Sequence, residues 1–311
     1  MSEQRRGVLL GVTAYLLWGL FPLYFPLLKP ATPLEIVAHR IIWSLLFVAI
    51  LLTFGRRWSW VVPFLRDRRR LLILSVAAVV IGINWGVYIW AVNSDHVVEA
   101  ALGYFINPLV TVLLGVVVLG ERLRRAQWAA VGLAAVAVVV LTVAYGRLPW
   151  VALTLAFSFA TYGLMKNRVR MPAVESLAVE CALLFLPATA LLLVLQARGT
   201  LVFSHTTWHV SLLLGLAGVI TAIPLICFGA AAARIPLSTM GLLQYLTPIL
   251  QFLIGVLVFD EAMPASRWVG FALVWAALVV FTVDTLRAAR AARAAETPPA
   301  LPELHPEPEA H

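Results

Sequence analysis

The sequence predicts an all-α integral membrane protein of ten transmembrane helices, arranged as two inverted five-helix repeats. Three observations predict it. The chain of 311 residues is 62% hydrophobic and 12% charged, with a mean hydropathy of +0.95, too little polar surface to cover a soluble domain of that size. A second observation is an internal echo: Leu102, Pro108, Leu113, Gly115, Val116, Val118, Glu121, Trp128 and Thr142 recur at a constant offset of 140 residues as Leu242, Pro248, Leu253, Gly255, Val256, Val258, Glu261, Trp268 and Thr282. A fixed offset held across two apolar runs and the loop between them marks a duplicated unit. The third is the placement of positive charge, which alternates from one inter-run segment to the next.

About 20 apolar residues cross the hydrocarbon, and runs near that length fall at 8–28, 33–54, 71–92, 97–120, 127–145, 148–166, 173–196, 208–232, 236–259 and 267–286. Five lie in 1–145 and five in 146–287. With the N-terminus inside, the cytoplasmic segments collect Arg5 and Arg6, the cluster from Arg56 to Arg70, Arg122 to Arg125, Lys166 to Arg170, Arg234, and Arg287 to Arg293. The opposite side holds only Lys29, Arg147, Arg198 and Arg267. That bias fixes both termini in the cytoplasm. An odd number of crossings returns the second repeat upside down, so the halves are inverted. Glu121 then lies in an arginine-rich cytoplasmic loop and Glu261 in an external one. The first run is of full spanning length without a small-residue cleavage pattern and reads as a retained span. Residues 288–311, Ala-rich and basic and then Pro-rich from Thr297, read as a disordered cytoplasmic tail.

The same composition narrows the chemistry. A formal charge of +8 spread in short clusters between apolar runs serves orientation and gives no nucleic-acid partner. Cys181 and Cys227 lie inside apolar runs and define neither a disulfide framework nor a metal site. The sequence has no phosphate-holding Gly-x-x-x-x-Gly-Lys-Ser/Thr loop, no His-Glu-x-x-His and no Gly-x-Ser-x-Gly, so no catalytic residue, metal or cofactor is expected.

Polar residues inside the runs are the functional candidates. On the fourth run Tyr104, Asn107, Pro108 and Thr111 share one helix face, and the ninth run repeats the stripe as Gln244, Thr247, Pro248 and Gln251. Pro108 and Pro248 each release the carbonyl four residues earlier, which needs a partner or a water-filled cavity at that depth. The bland alternative is a pair of ordinary kinks with side chains bonded to neighbouring helices. On the second run, Glu35 and His39 share a face and could pair, either as a solvated pair at the interface or as a substrate contact; Arg40 is deeper and harder to dismiss. At the 140-residue offset Arg40 matches Glu180, so an ion pair between them across the halves is one expectation. Glu99 reads as a gate or proton-coupling carboxylate, or as a solvated span end. Asn84, Trp85 and Tyr88 share a face on the third run, and Trp18, Tyr162 and Tyr245 add rings at depth, as a cavity lining or as core.

Several of these residues fall in longer motifs. Ala14-Tyr15 to Trp18-Gly19, Pro22 to Phe25, Glu35 to His39-Arg40 with Trp43-Ser44, Tyr88 to Val92, Leu102 to Leu109, Tyr162 to Leu164 and Thr221 to Leu225 resemble the RarD-type transporters of the EamA family, in the drug/metabolite transporter superfamily. The resemblance runs from about residue 7 to 286. It implies a ten-span bacterial inner-membrane transporter, linked by family name to chloramphenicol sensitivity. Ala101 departs from the serine expected at its position. The expectation is then a secondary transporter, not an enzyme, exporting a small metabolite or drug-like solute of amino-acid-like or aromatic kind by alternating access, with membrane lipid around it and protons as the coupling partner. A membrane-embedded enzyme and a non-transporting receptor or scaffold are the rival readings. Arg40, Asn84, Tyr88, Tyr104, Asn107, Thr111, Gln244 and Gln251 are the candidate solute contacts, and Glu35, His39, Glu99, Glu180, Pro108 and Pro248 the candidates for coupling or gating.

Overall fold

Apolar runs with capping residues between them give helices. In the computed structural model, which describes residues 2–296 apart from 121, 170 and 236, every regular element is helical. Helix α1 (Glu3–Gly19) begins where the Ser2 hydroxyl accepts from the Arg5 N–H. It stops before Pro22, whose missing N–H leaves the Trp18 carbonyl without its usual donor. The chain bends by 42° and continues as α2 (Phe21–Tyr24) and a 3-10 turn, Phe25–Leu28. Helix α3 (Pro33–Phe54) opens on Thr32, whose hydroxyl accepts from the Glu35 N–H, with Pro33 in the first turn, the start signal that Thr-Pro-x-Glu provides. A short α4 (Val61–Arg66) precedes α5 (Arg68–Asn93), α6 (Val97–Leu119) and α7 (Arg125–Tyr145). The last two end on Gly120 and Gly146 at φ 70 and 66, a left-handed turn that glycine adopts without strain. Next come α8 (Trp150–Val169), α9 (Ala173–Ala197), α10 (Trp208–Ala232), α11 (Leu237–Leu243), α12 (Leu246–Leu257) and α13 (Ala265–Glu296).

Eight of these are long and apolar enough to cross a membrane, with α11 and α12 counted as one, and the bent α1–α2 segment makes a ninth. The run expected at 148–166 forms α8 but falls short of that measure, because Lys166, Asn167 and Arg168 crowd its last turn and Thr154, Ser158 and Thr161 interrupt its middle. Its position accounts for the composition: α8 packs against both α5 and α6, so much of its surface faces protein rather than lipid. At the far end α13 continues through Ala288 to Glu296, so the first part of the expected disordered tail is helical. The remainder of that tail and Glu121 lie outside the described residues.

Helix pairing is close where side chains are small. A Cβ on Gly218 of α10 would meet the Trp43 carbonyl carbon of α3 at 2.2 Å, and one on Gly103 of α6 would meet the Ala152 carbonyl oxygen of α8 at 2.7 Å. Such backbone approach is how helices associate when lipid is as apolar as their side chains. The outer faces are the reverse: Val117, Val143 and Leu186 are 73%, 78% and 75% exposed, a surface that lipid chains cover.

These contacts make a paired stability prediction. Gly218→Ala forces α3 and α10 apart and should cost about 1–3 kcal/mol. Gly132→Ala in α7, where an added Cβ meets nothing within 4 Å, should gain about 0.5–1 kcal/mol from helix propensity. Thermal unfolding of the purified chain in detergent reads both, and equal melting temperatures for the two variants would contradict the packing.

Candidate functional site

A guanidinium held in low dielectric must be compensated, so the site is built outward from Arg40. It sits about 11 Å along α3 from Pro33 at 1.5 Å per residue and is 5% exposed. Its Nε donates to Thr221 Oγ1 on α10 at 2.8 Å. The Thr221 hydroxyl donates in turn to the Ala217 carbonyl at 2.7 Å, which leaves its oxygen free to accept. The guanidinium carbon lies 4.2 Å from the centre of the Trp85 ring on α5 and 5.3 Å from that of Phe21, a cation–π arrangement. The Nε bond is the one hydrogen bond that the group makes among the described residues.

The faces of α5 and α6 expected to line a cavity do come together. Asn84 is fixed on α8: its amide donates to the Leu155 carbonyl at 3.2 Å and to Ser158 Oγ at 2.9 Å. Its oxygen accepts from the Tyr104 hydroxyl at 3.2 Å. Tyr104 meets Tyr88 edge to face at 5.6 Å. Tyr88 is buried, and its hydroxyl has no partner among the described residues. The side chains of Tyr24, Tyr88, Tyr104 and Cys181 all lie within electrostatic reach of Arg40.

The rest of the two stripes is dispersed. Asn107 is half-buried with an Oδ1 that has no partner among the described residues, while Thr111 is exposed and turns its hydroxyl back onto the Asn107 carbonyl at 2.9 Å. Pro108 sits within a continuous α6. Pro248, by contrast, follows a break at Gln244 and Tyr245 that separates α11 from α12. The side chains beside that break are used to mend the first one. Gln251, 2% exposed, donates through Nε2 to the Trp18 carbonyl at 3.2 Å, and Thr247 donates to the Tyr15 carbonyl at 2.8 Å. Gln244 is half-buried. A nearly apolar groove of about 570 Å³ between α6, α12 and α13, lined in part by Phe105, Tyr245, Phe252 and Trp275, lies beside these elements. A smaller cavity of about 250 Å³ between α1–α2 and α10 includes Phe21 and Tyr24 in its lining.

The carboxylates differ from expectation in an instructive way. Glu35 and Glu99 are 0% and 1% exposed, so neither is a solvated span end. Glu35 Oε1 accepts from the N–H groups of Val202 at 2.9 Å and Phe203 at 3.1 Å, and His39 Nε2 stands 4.0 Å away. His39 Nδ1 accepts from the Trp43 indole at 3.2 Å. Glu99 binds Arg147 at 2.7 Å and the Val151 N–H at 3.1 Å. The expected Arg40–Glu180 ion pair is not formed, because closer groups claim Glu180: Lys166 and Ser176 at 2.8 Å and Tyr162 at 3.1 Å. Lys166 reads as a loop charge in the sequence; folded, its long stem carries the ammonium back along α8. Two other roles were also missed. Thr221 lies in a motif of the family resemblance but carries no charge to single it out. Glu261 caps α6 by accepting from the Val97 and Val98 N–H groups; burial raises its pKa, opposed by those two N–H groups and by His96, while Asp95 adds to the rise.

The chain is similar to known transporters. Residues 5–143 match the EamA-like transporter family. The chain is 59% identical to Protein RarD of Streptomyces exfoliatus over 93% of its length and 91% of that protein's. It is 45% identical to an uncharacterized transporter of Vibrio cholerae over 92% and 95%. A crystal structure of a protein with 22% sequence identity superposes with a TM-score of 0.57 over 91% of this chain and 98% of the other, a likeness of fold alone.

The Glu180 environment yields a rescue experiment. Lys166→Met leaves a buried carboxylate without its cation and should destabilise the chain by about 3 kcal/mol, most of it recovered when Glu180→Gln is added. Chemical denaturation in mild detergent measures the cycle. Additivity of the two substitutions would mean that Lys166 is not the compensating charge.

Proposed function

The chain belongs to the EamA-like transporter family, and on that premise we propose that it is a secondary transporter exporting a small metabolite or drug-like solute across a bacterial inner membrane by alternating access. The observation that carries the reading is the packing pattern. Let α1–α2, α3, α5, α6 and α7 correspond to α8, α9, α10, α11–α12 and α13, as the 140-residue offset requires. Then α1 against α10 answers α8 against α5, α1 against α12 answers α8 against α6, and α3 against α10 answers α9 against α5. The pairs α3–α9, α6–α12 and α7–α13 join counterparts directly. The correspondence is weakest at α6–α13 and α6–α7, whose images α7–α12 and α12–α13 are not among the closer contacts. An exchange of this kind supports ten spans in two inverted halves, 1–145 and 146–287, with solute held between them. Both termini are assigned to the cytoplasm on the charge bias.

Within that frame Arg40, Asn84, Tyr88 and Tyr104 are the proposed solute contacts nearest one another, with Asn107, Thr111, Gln244 and Gln251 lining the path. Glu35, His39, Glu99 and Glu180 are proposed for proton coupling, and Pro108 and Pro248 for gating. The test is counterflow in proteoliposomes over amino acids, aromatic metabolites and chloramphenicol, with and without a pH gradient. At least one solute should exchange, faster with the gradient imposed; binding without exchange across the panel would reject transport. For the solute so identified, Pro248→Ala should slow turnover by about ten-fold by letting α11 and α12 join, with a smaller effect from Pro108→Ala in the already continuous α6. Membrane-impermeant maleimide should label Ser204→Cys in intact cells and Ser2→Cys only after permeabilisation.

A further inference from the structure

We infer that the outer end of the Arg40 guanidinium is a binding site for a single carboxylate, so that, resting on the transport reading, the solute is a monoanion with an apolar or aromatic body. The argument begins from charge accounting. No carboxylate among the described residues answers Arg40: Glu175 holds Arg57 at 2.7 Å, Glu99 holds Arg147 at 2.7 Å and Glu180 holds Lys166 at 2.8 Å, while Glu35 accepts the Val202 and Phe203 N–H groups and faces His39 at 4.0 Å. Arg40 has only a neutral hydroxyl, Thr221 at 2.8 Å, and two aromatic faces. A buried cation left in that state costs several kcal/mol, and more inside a bilayer. An anion brought by the solute would remove the cost.

The geometry narrows what the anion is. With Nε committed to Thr221, the two Nη groups remain as an end-on fork, which matches the two oxygens of a carboxylate. The unpartnered hydroxyl of buried Tyr88 adds a third donor within electrostatic reach. Around Arg40 stand Thr221, Trp85, Phe21, Tyr24, Tyr88, Tyr104 and Cys181, with no second cation beside it among the described residues, so one negative charge is balanced and a dianion is not. The surroundings also offer an ammonium no free carboxylate among the described residues: Glu180 is held by Lys166, and the Asn84 Oδ1 beside the site already accepts from Tyr104 at 3.2 Å. Glu35, five residues earlier on α3, is turned away from Arg40 by about 140 degrees. This argues against the amino-acid-like solute that the sequence allowed. The body of the solute has a place as well: the cavity of about 250 Å³ that shares Phe21 and Tyr24 with this site is lined beyond them by Leu17, Leu20, Ile220, Ile223 and Pro224.

Calorimetric titration of the purified full-length chain in detergent tests the assignment with 3-phenylpropanoate, its neutral amide, L-phenylalanine and inorganic phosphate. The acid should bind at least about ten-fold more tightly than each of the other three, and Arg40→Gln should lose at least about ten-fold in affinity for it, the range expected for charge-assisted hydrogen bonds. Arg40→Lys keeps the charge without the fork and should also bind more weakly than the native chain. Arg40→Gln removes a costly buried charge, so its melting temperature should not fall, which separates lost binding from lost folding. Equal binding of acid and amide, tighter binding of phenylalanine or phosphate, or unchanged affinity in Arg40→Gln would overturn the inference. Counterflow of the same compounds separates the two readings: an acid that binds through Arg40 but never exchanges rejects transport and leaves the anion site standing. Exchange of the amide at the rate of the acid does the opposite.

Discussion

One constraint orders this structure: a backbone or charged group that leaves water for the bilayer must find its partner inside the protein. The clearest case is the pair of broken helices. Pro22 leaves the Trp18 carbonyl without a donor, and Gln251 supplies one from α12. Thr247, one turn earlier, reaches the Tyr15 carbonyl from the same face. Helix α12 is itself the second part of a broken segment, so one discontinuity is closed by residues that flank another. The same need is met at buried Asn84, whose amide donates twice to α8 and whose oxygen accepts from Tyr104.

At the helix ends the constraint takes the form of charged stitches. Glu35 gathers the backbone N–H groups of the α9–α10 connection, and Glu261 gathers those at the start of α6. Glu99 ties α6 to the beginning of α8 through Arg147 and the Val151 N–H. Elsewhere Arg57 meets Glu175, and Arg124 meets Asp284 at 2.6 Å. Partly exposed pairs of this kind contribute little individually. Their value is positional, because each fixes which loop lies over which helix end.

The sequence made the helices legible because hydropathy, proline and capping residues act locally. Nine of the expected runs reappear as helices that qualify as spans, and α8 missed the measure because burial against α5 and α6 relaxed the demand for apolar side chains. The face shared by Asn84 and Tyr88 on α5 was likewise legible from helix geometry, whereas the Tyr104 hydroxyl of α6 reaching Asn84 was not. What the sequence did not reveal depends on the side chains' third dimension. Nothing local says that Lys166 folds back to Glu180, that Gln251 donates to a carbonyl 233 residues away in sequence, or that Thr221 faces Arg40. The 140-residue offset even suggested the wrong partner, since matched positions in two repeats need not touch.

The fate of that matched pair bears on mechanism. Glu180 is compensated by Lys166, Ser176 and Tyr162, all from α8 and α9, so its network lies within one proposed half and can ride unchanged through a rocking motion. Arg40 is different. Its single hydrogen bond runs from α3 to α10, from one proposed half to the other, and its cation–π face comes from α5. The end stitches made by Glu35, Glu99, Glu261 and Glu175 also join the halves. On the transport reading, stitches at opposite ends cannot all persist in both inward- and outward-facing states, so closing one end must offset the opening of the other. Arg40 lies between those ends with a weak neutral partner. A group in that position responds to what occupies the space between the halves, whereas Glu180 keeps its partners within its own half.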